Sequence, residues 1–264
     1  MTYASAGIGQ SEVSNDRPRP SAMRLAVRAS VWTLTDTVGT LALRFGSNLV
    51  MARLLFPEAF GLMALVFSVS ATLQAFSDVG VGPSIVQNPK GDDPRFLSTA
   101  WTLQAVRGGA LWIVACGLAW PAAVFYGEPA LVSLIPVASM VALIDGLVSV
   151  SIQVQLRHLN QRPIAIMSLA SRAIGITTMI TWAALTTSVW SIVAGMVAEA
   201  LVRLFASHLF LRGGPRRLGI HRESLRALIS FGRWIFLTTA IGALALQVDR
   251  IFLGKLISLE LLGA

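Results

Sequence analysis

One cysteine in 264 residues, Cys116, excludes a disulfide framework and a thiolate metal site, since either needs at least two. It lies inside an apolar run and reads as a small buried hydrophobe. Charged residues make up 13% of the chain, about half the share of a soluble domain. That little polar surface cannot cover a water-soluble particle of this length. Acidic residues are the scarcer sign, 13 Asp and Glu against 21 Lys and Arg, for a formal net charge of +8. The basic excess does not point to nucleic acid. Most Lys and Arg residues sit between apolar runs, where topology signals belong.

Catalytic patterns are missing too. His158, His208 and His221 lack metal-ligand spacing, and no Ser-His-Asp or Cys-His arrangement is recognisable. The GVGPS stretch at 80–84 contains Gly-x-Gly but follows no parallel strand and lacks the third glycine, so it reads as a loop. No extramembrane segment is large enough for a soluble active site. A non-enzymatic protein without metal or cofactor is therefore expected.

What is present is hydrophobic, at 55% of residues with a mean hydropathy of +0.69. The apolar runs repeatedly approach the roughly 20 residues that cross a bilayer core. The pattern predicts an all-α integral membrane protein with spans at 29–52, 60–80, 96–120, 130–152, 164–186, 189–211 and 231–254. Residues 1–27 are polar, with Gly, Ser and Pro, and are expected to form a disordered cytoplasmic tail. No small-residue cleavage site follows them, so they do not read as a signal peptide. With the N-terminus inside, the cytoplasmic segments carry Arg17, Arg19, Arg24, Arg28, Lys90, Arg95, Arg157, Arg162, Arg212, Arg216, Arg217, Arg222 and Arg226. Arg53 alone falls outside before the last span, so the positive-inside rule fixes that orientation. Trp101, Trp120, Trp182 and Trp190 read as interfacial belt residues.

Gly213, Gly214 and Pro215 end the sixth span, which divides the chain into a six-helix lobe over 28–212 and a basic amphipathic linker over 213–229. The linker's interleaved Leu and Ile suit a helix lying on an anionic leaflet, with membrane lipids as its partners. The remainder, 230–264, resembles the first span. A shift of 202 residues aligns Trp32 with Trp234, Thr37 with Thr239, Leu54 with Leu256, Glu58 with Glu260 and Gly61 with Gly263. A second copy of the lobe is expected to begin there, as internal repeats are common in transporters. The sequence stops at Ala264, where the first copy continues into its second span, and is therefore expected to be a truncated or partial one.

Charges inside the spans carry the functional signal, because each costs about 2.5–3.5 kcal/mol at a helix centre on insertion scales. They are Asp36, Arg44, Arg107, Asp145, Arg172, Glu199 and Arg203, with Asp249 beside Arg250 in the last span. In span one Thr33, Thr37, Thr40, Arg44 and Ser47 or Asn48 recur at three- and four-residue steps. Ser191, Gly195, Glu199, Arg203 and Ser207 do so in span six, and Ser168, Arg172, Gly175 and Thr178 in span five. Three such stripes turned inward would enclose a hydrophilic cavity. Arg44, Arg107, Arg172 and Arg203 make an anionic ligand its expected occupant, because guanidinium matches phosphate oxygens and stays charged when partly desolvated. Asp36, Asp145, Glu199 and Asp249 are candidates for ion or proton coupling, or for pairing with the arginines. Glu199 and Arg203, one turn apart, can also neutralise each other, and Arg172 and Arg203 can snorkel to the interface.

ARLLFPEAFGLMAL (52–65), AFSDVGVGPSIVQ (75–87) and FGRWIFLTT with QVDRIFLGKLISLELLGA (231–264) resemble the Wzx-like, PST-type polysaccharide flippases. These belong to the multidrug/oligosaccharidyl-lipid/polysaccharide superfamily. The resemblance implies two six-helix lobes of the MATE/MOP type facing each other across a central cavity in the bacterial inner membrane. It implies a substrate, undecaprenyl-pyrophosphate-linked oligosaccharide, moved from the cytoplasmic to the periplasmic leaflet for O-antigen, capsule or exopolysaccharide synthesis. Glycan polymerase and glycosyltransferases would be the partner proteins. A multidrug cation antiporter of the same superfamily, a membrane glycan polymerase or ligase, and a non-transporting scaffold are the alternatives.

Overall fold

Helix boundaries follow local chemistry. A computed structural model describes residues 20–75, 80–211, 213–215 and 217–233. Pro20 opens α1 (Pro20–Leu54), at a position where a missing N–H costs nothing. The expected tail over 1–27 is thereby shortened, its last eight residues being the first turns of this helix. Pro57 opens α2 (Pro57–Ala75) in the same way, with Glu58 in the first turn at the positive end of the helix dipole. Gly80, at φ 61, leads into the short α3 (Val81–Gln87), so the stretch read as loop is helical from Val81. The Asp93 carboxylate accepts the Arg95 backbone N–H at 2.9 Å and caps α4 (Pro94–Tyr126), which ends at Gly127 in the left-handed conformation. α5 (Leu131–Leu147), α6 (Ser151–Arg157), α7 (Gln161–Thr186) and α8 (Trp190–Leu209) follow, and residues 222–233 are helical. No strand occurs among the described residues.

α4, α7 and α8 are each long and apolar enough to cross a membrane. α5 and α6 make a fourth such element if taken together, bent by 57° at the break between them. The expected spans at 29–52 and 60–80 fall on α1 and α2, which do not reach that standard within the described residues. Of the expected seventh span only 231–233 is described, so Asp249 and Arg250 lie outside the described residues.

α4 packs on α5 and α7 on α8; α5 against α8 joins the two pairs. α1 lies along α7, and α2 against α4 and α5. One apolar cluster gathers where three helical hairpins turn, around Met63, Ala119, Leu131, Leu134, Ala183 and Val193. A second, at the other end, joins Ile85, Phe96, Leu97, Val150, Val154 and Leu228. Large aliphatic and aromatic side chains such as Phe45, Phe125 and Leu185 are exposed, as lipid-facing positions require. Two helix pairs approach closely through glycine, the means by which membrane helices gain contact without a hydrophobic drive. A Cβ on Gly108 would lie 2.5 Å from the Ala142 carbonyl oxygen, and one on Gly175 would lie 2.8 Å from the Gly195 carbonyl oxygen.

Gly108→Ala is expected to lower thermal stability in detergent by the equivalent of about 1–3 kcal/mol, the usual cost of overpacking. Gly46→Ala, at a site with nothing within 4 Å, is expected to leave the melting temperature unchanged or to raise it. Melting curves of the two variants side by side provide the check.

Candidate functional site

Between the two apolar clusters lies a cavity of about 330 Å³, within the range of small-molecule sites. Its polar lining is Gln74, Gln104, Arg107, Asp145, Gln153 and Arg203, from α2, α4, α5, α6 and α8. An Arg203 guanidinium N–H donates to Asp145 Oδ1, joining α8 to α5. Arg107 reaches the Gln74 carbonyl oxygen at 3.5 Å. Gln153 Oε1 is buried and accepts no hydrogen bond among the described residues.

The cavity abuts the break between α5 and α6, where four backbone carbonyls at the end of α5 lose their helical partners. Gln104 Nε2 donates to the Asp145 carbonyl at 2.9 Å and the Val148 carbonyl at 3.1 Å. Trp101 Nε1 donates to the Leu147 carbonyl at 3.1 Å, and His208 Nε2 lies 3.0 Å from the same oxygen. On the other side of the break the Ser149 N–H donates to Ser207 Oγ at 3.1 Å and the Ser151 N–H to Ser149 Oγ at 3.2 Å. A buried peptide group left without a hydrogen bond costs about 1–3 kcal/mol, so these side chains are what allow an interrupted helix here. Trp101, expected in the interfacial belt, is thus committed to the break; Trp120 and Trp182 are exposed, as belt residues would be.

The other span charges separate from this cavity. Arg172 of α7 pairs with Glu199 of α8 at 3.3 Å, beside the Gly175–Gly195 crossing, and its Nε is buried without a hydrogen-bond partner among the described residues. Glu199 and Arg203, considered as partners one turn apart, therefore each pair across a helix interface with a different residue. Arg44 is exposed on α1. Asp36, also on α1, has a buried Oδ1 without a hydrogen-bond partner among the described residues. Of the three stripes expected to enclose one cavity, only that of α8 contributes to this one. α1 packs on the side of α7 and makes its close approach there, where a Cβ on Gly39 would come within 2.8 Å of the Leu169 side chain.

At the end where α3 and α6 meet, Arg157 forms a clamp that topology counting alone does not reveal. Its Nη1 donates to the Ile85, Val86 and Asn88 carbonyls at 3.1, 2.9 and 2.7 Å, closing the C-terminus of α3. Its Nε donates to Asp92 Oδ2 at 3.0 Å, and His158 Nε2 lies 2.9 Å from Asp92 Oδ1. The hydrogen bond from His158 holds the Asp92 carboxyl below the ordinary carboxylate range; slight burial opposes this and Arg157 reinforces it. Nearby, the exposed Lys90–Glu223 pair at 2.7 Å raises the lysine and lowers the glutamate.

These features define an all-α membrane protein on the plan of a transporter lobe, with paired charges around an interrupted helix. The chain belongs to the family described as polysaccharide biosynthesis protein, whose profile matches residues 50–264. It is 27% identical over 208 residues to the succinoglycan biosynthesis transport protein ExoT of Rhizobium meliloti (strain 1021), across 78% of this chain and 40% of that protein. The chain thus spans less than half the length of that relative. No solved structure matches it.

Two outcomes follow from the site. Asp145→Asn and Arg203→Gln are each expected to destabilise the protein, and the double variant to recover part of the loss. The coupling, read from melting or denaturation in detergent, should fall at about 0.5–3 kcal/mol. At the clamp, a lowered carboxylate pKa means stability that is present at neutral pH and lost as pH falls below the ordinary carboxylate range. Asp92→Asn should lower the melting temperature at neutral pH, and its difference from wild type should vanish at acid pH, as a pH series of melts would record.

Proposed function

We propose that this chain forms the first lobe of a flippase that moves undecaprenyl-pyrophosphate-linked oligosaccharide from the cytoplasmic to the periplasmic leaflet during polysaccharide synthesis and export. The observation that carries this reading is the cavity at the break, whose described lining brings Arg107 and Arg203 together with Asp145. The family match and the transport name of the relative support it. The headgroup enters the cavity while the lipid tail stays in the bilayer. Phosphate oxygens take guanidinium donors from Arg107 and Arg203, displacing Asp145 from Arg203. Neutralising that charge lowers the main barrier to crossing hydrocarbon, and no bond is made or broken. Arg44, exposed on α1, and Arg172, paired with Glu199, serve the same headgroup at other stages of its path. The protein lies in the inner membrane with its N-terminus cytoplasmic and works beside glycosyltransferases and a glycan polymerase.

In the intact protein, Arg107→Ala should cut polysaccharide export about tenfold or more, the loss of one charge-assisted hydrogen bond. The amount of protein in the membrane should not change. Export at the wild-type level by this variant would sink the proposal.

A further inference from the structure

Residues 217–233 present a surface that the transport reading does not use. The segment is fixed against the first turns of α4. Thr102 Oγ1 accepts the Gly219 N–H at 3.0 Å and donates to its carbonyl at 3.2 Å, and Thr99 Oγ1 accepts the His221 N–H at 3.1 Å. Leu228, 1% exposed, is buried with Phe96 and Val150. With Leu228 turned inward, Arg222, Arg226 and Ile229 share the opposite face, since they follow one another at steps of four and three residues. All three are exposed, as are Arg217, Leu218 and Ile220 just before them.

α4 is long and apolar enough to cross the membrane and begins at Pro94. A segment bonded to its Thr99 and Thr102 lies about 8–12 Å along that helix from its start, at the level where the chain enters the bilayer. Arginines interleaved with large aliphatics suit that boundary, with the aliphatics in the acyl region and the guanidiniums among headgroup phosphates. The carboxylate of this stretch, Glu223, is already taken by Lys90.

We propose that 217–233 is a binding surface for anionic phospholipid headgroups of the adjoining leaflet. Arg217, Arg222 and Arg226 meet phosphates; Leu218, Ile220 and Ile229 sink into the acyl boundary. Charge complementarity selects this occupant, because a leaflet rich in anionic lipid attracts such basic clusters and releases them in salt.

The test uses the intact protein with Cys116→Ser and Ile229→Cys, nitroxide-labelled, in nanodiscs of phosphatidylcholine with or without phosphatidylglycerol. Accessibility of the label to a water-soluble nickel chelate and to oxygen gives its depth. The chelate accessibility is expected to fall several-fold when phosphatidylglycerol is added and to return at high salt. Combined Arg217→Gln, Arg222→Gln and Arg226→Gln should abolish that response. A label at Leu218→Cys should behave alike and guards against a local defect at Ile229. Equal chelate accessibility in both lipids would show a face turned to water or to a protein partner. A label shielded in both lipids and indifferent to the Arg→Gln changes would show a face covered by protein. Either result overturns the proposal.

Discussion

A peptide group that leaves its helix inside a packed bundle has no water to turn to, and the break after α5, with Val148, Ser149 and Val150 buried, is where this chain must answer that constraint. The answer is made of side chains from two neighbours. α4 supplies Gln104 and Trp101, and α8 supplies Ser207 and His208. These contacts require α4 and α8 to stay at fixed distances from the end of α5. Gly108 and Gly146 permit the first approach, because a Cβ on either would meet backbone of the facing helix. The cavity is the space left when two helices are held this way around a helix that stops short.

Asp145 is where the two kinds of satisfaction coincide. Its carbonyl oxygen takes the Gln104 amide and its carboxylate takes the Arg203 guanidinium, so one residue ties α5 to both α4 and α8. A pair of this kind is weak evidence for net stability, since desolvating two charges offsets most of their attraction. Its use lies in specificity, because either partner alone would be an uncompensated charge among helices. Arg172 and Glu199 repeat the device at the α7–α8 crossing, where paired glycines again bring the backbones together.

The helices were legible in the sequence because length and apolar content are local properties. The helix starts carried signals that the reading passed over: Pro20, placed in the expected tail, Pro57 and Asp93-Pro94 stand at three of them. Partners were not legible. Glu199 and Arg203 are four apart, the spacing of an intrahelical pair, yet each takes a partner on another helix, and nothing local to α8 encodes that choice. The stripe on α1 misled for the same reason, since periodicity shows that a helix has a polar face but not what the face is turned toward. Trp101 looked like a belt residue, and its role rests on a carbonyl 46 positions later. The break itself had a faint signal, Gly146 followed by Ser149 and Ser151 within an apolar run. Reading it required knowing that Gln104 and Ser207 stand opposite.

The proposed transport chemistry acquires a mechanical consequence from this arrangement. A phosphate that draws Arg203 away from Asp145 leaves a carboxylate at the last turn of α5 without its cation. The same residue's backbone still holds α4 through Gln104. The charge change therefore falls on a residue through which α4, α5 and α8 are joined at the break. An interface with two discrete packings answers such a change by switching rather than by stretching. A ligand shifts such an equilibrium only by the difference in its affinity for the two states. The anionic headgroup has that difference if Arg203 is offered to it in one state and to Asp145 in the other. Binding and rearrangement would then be one event, centred on a salt bridge whose purpose is to be exchanged.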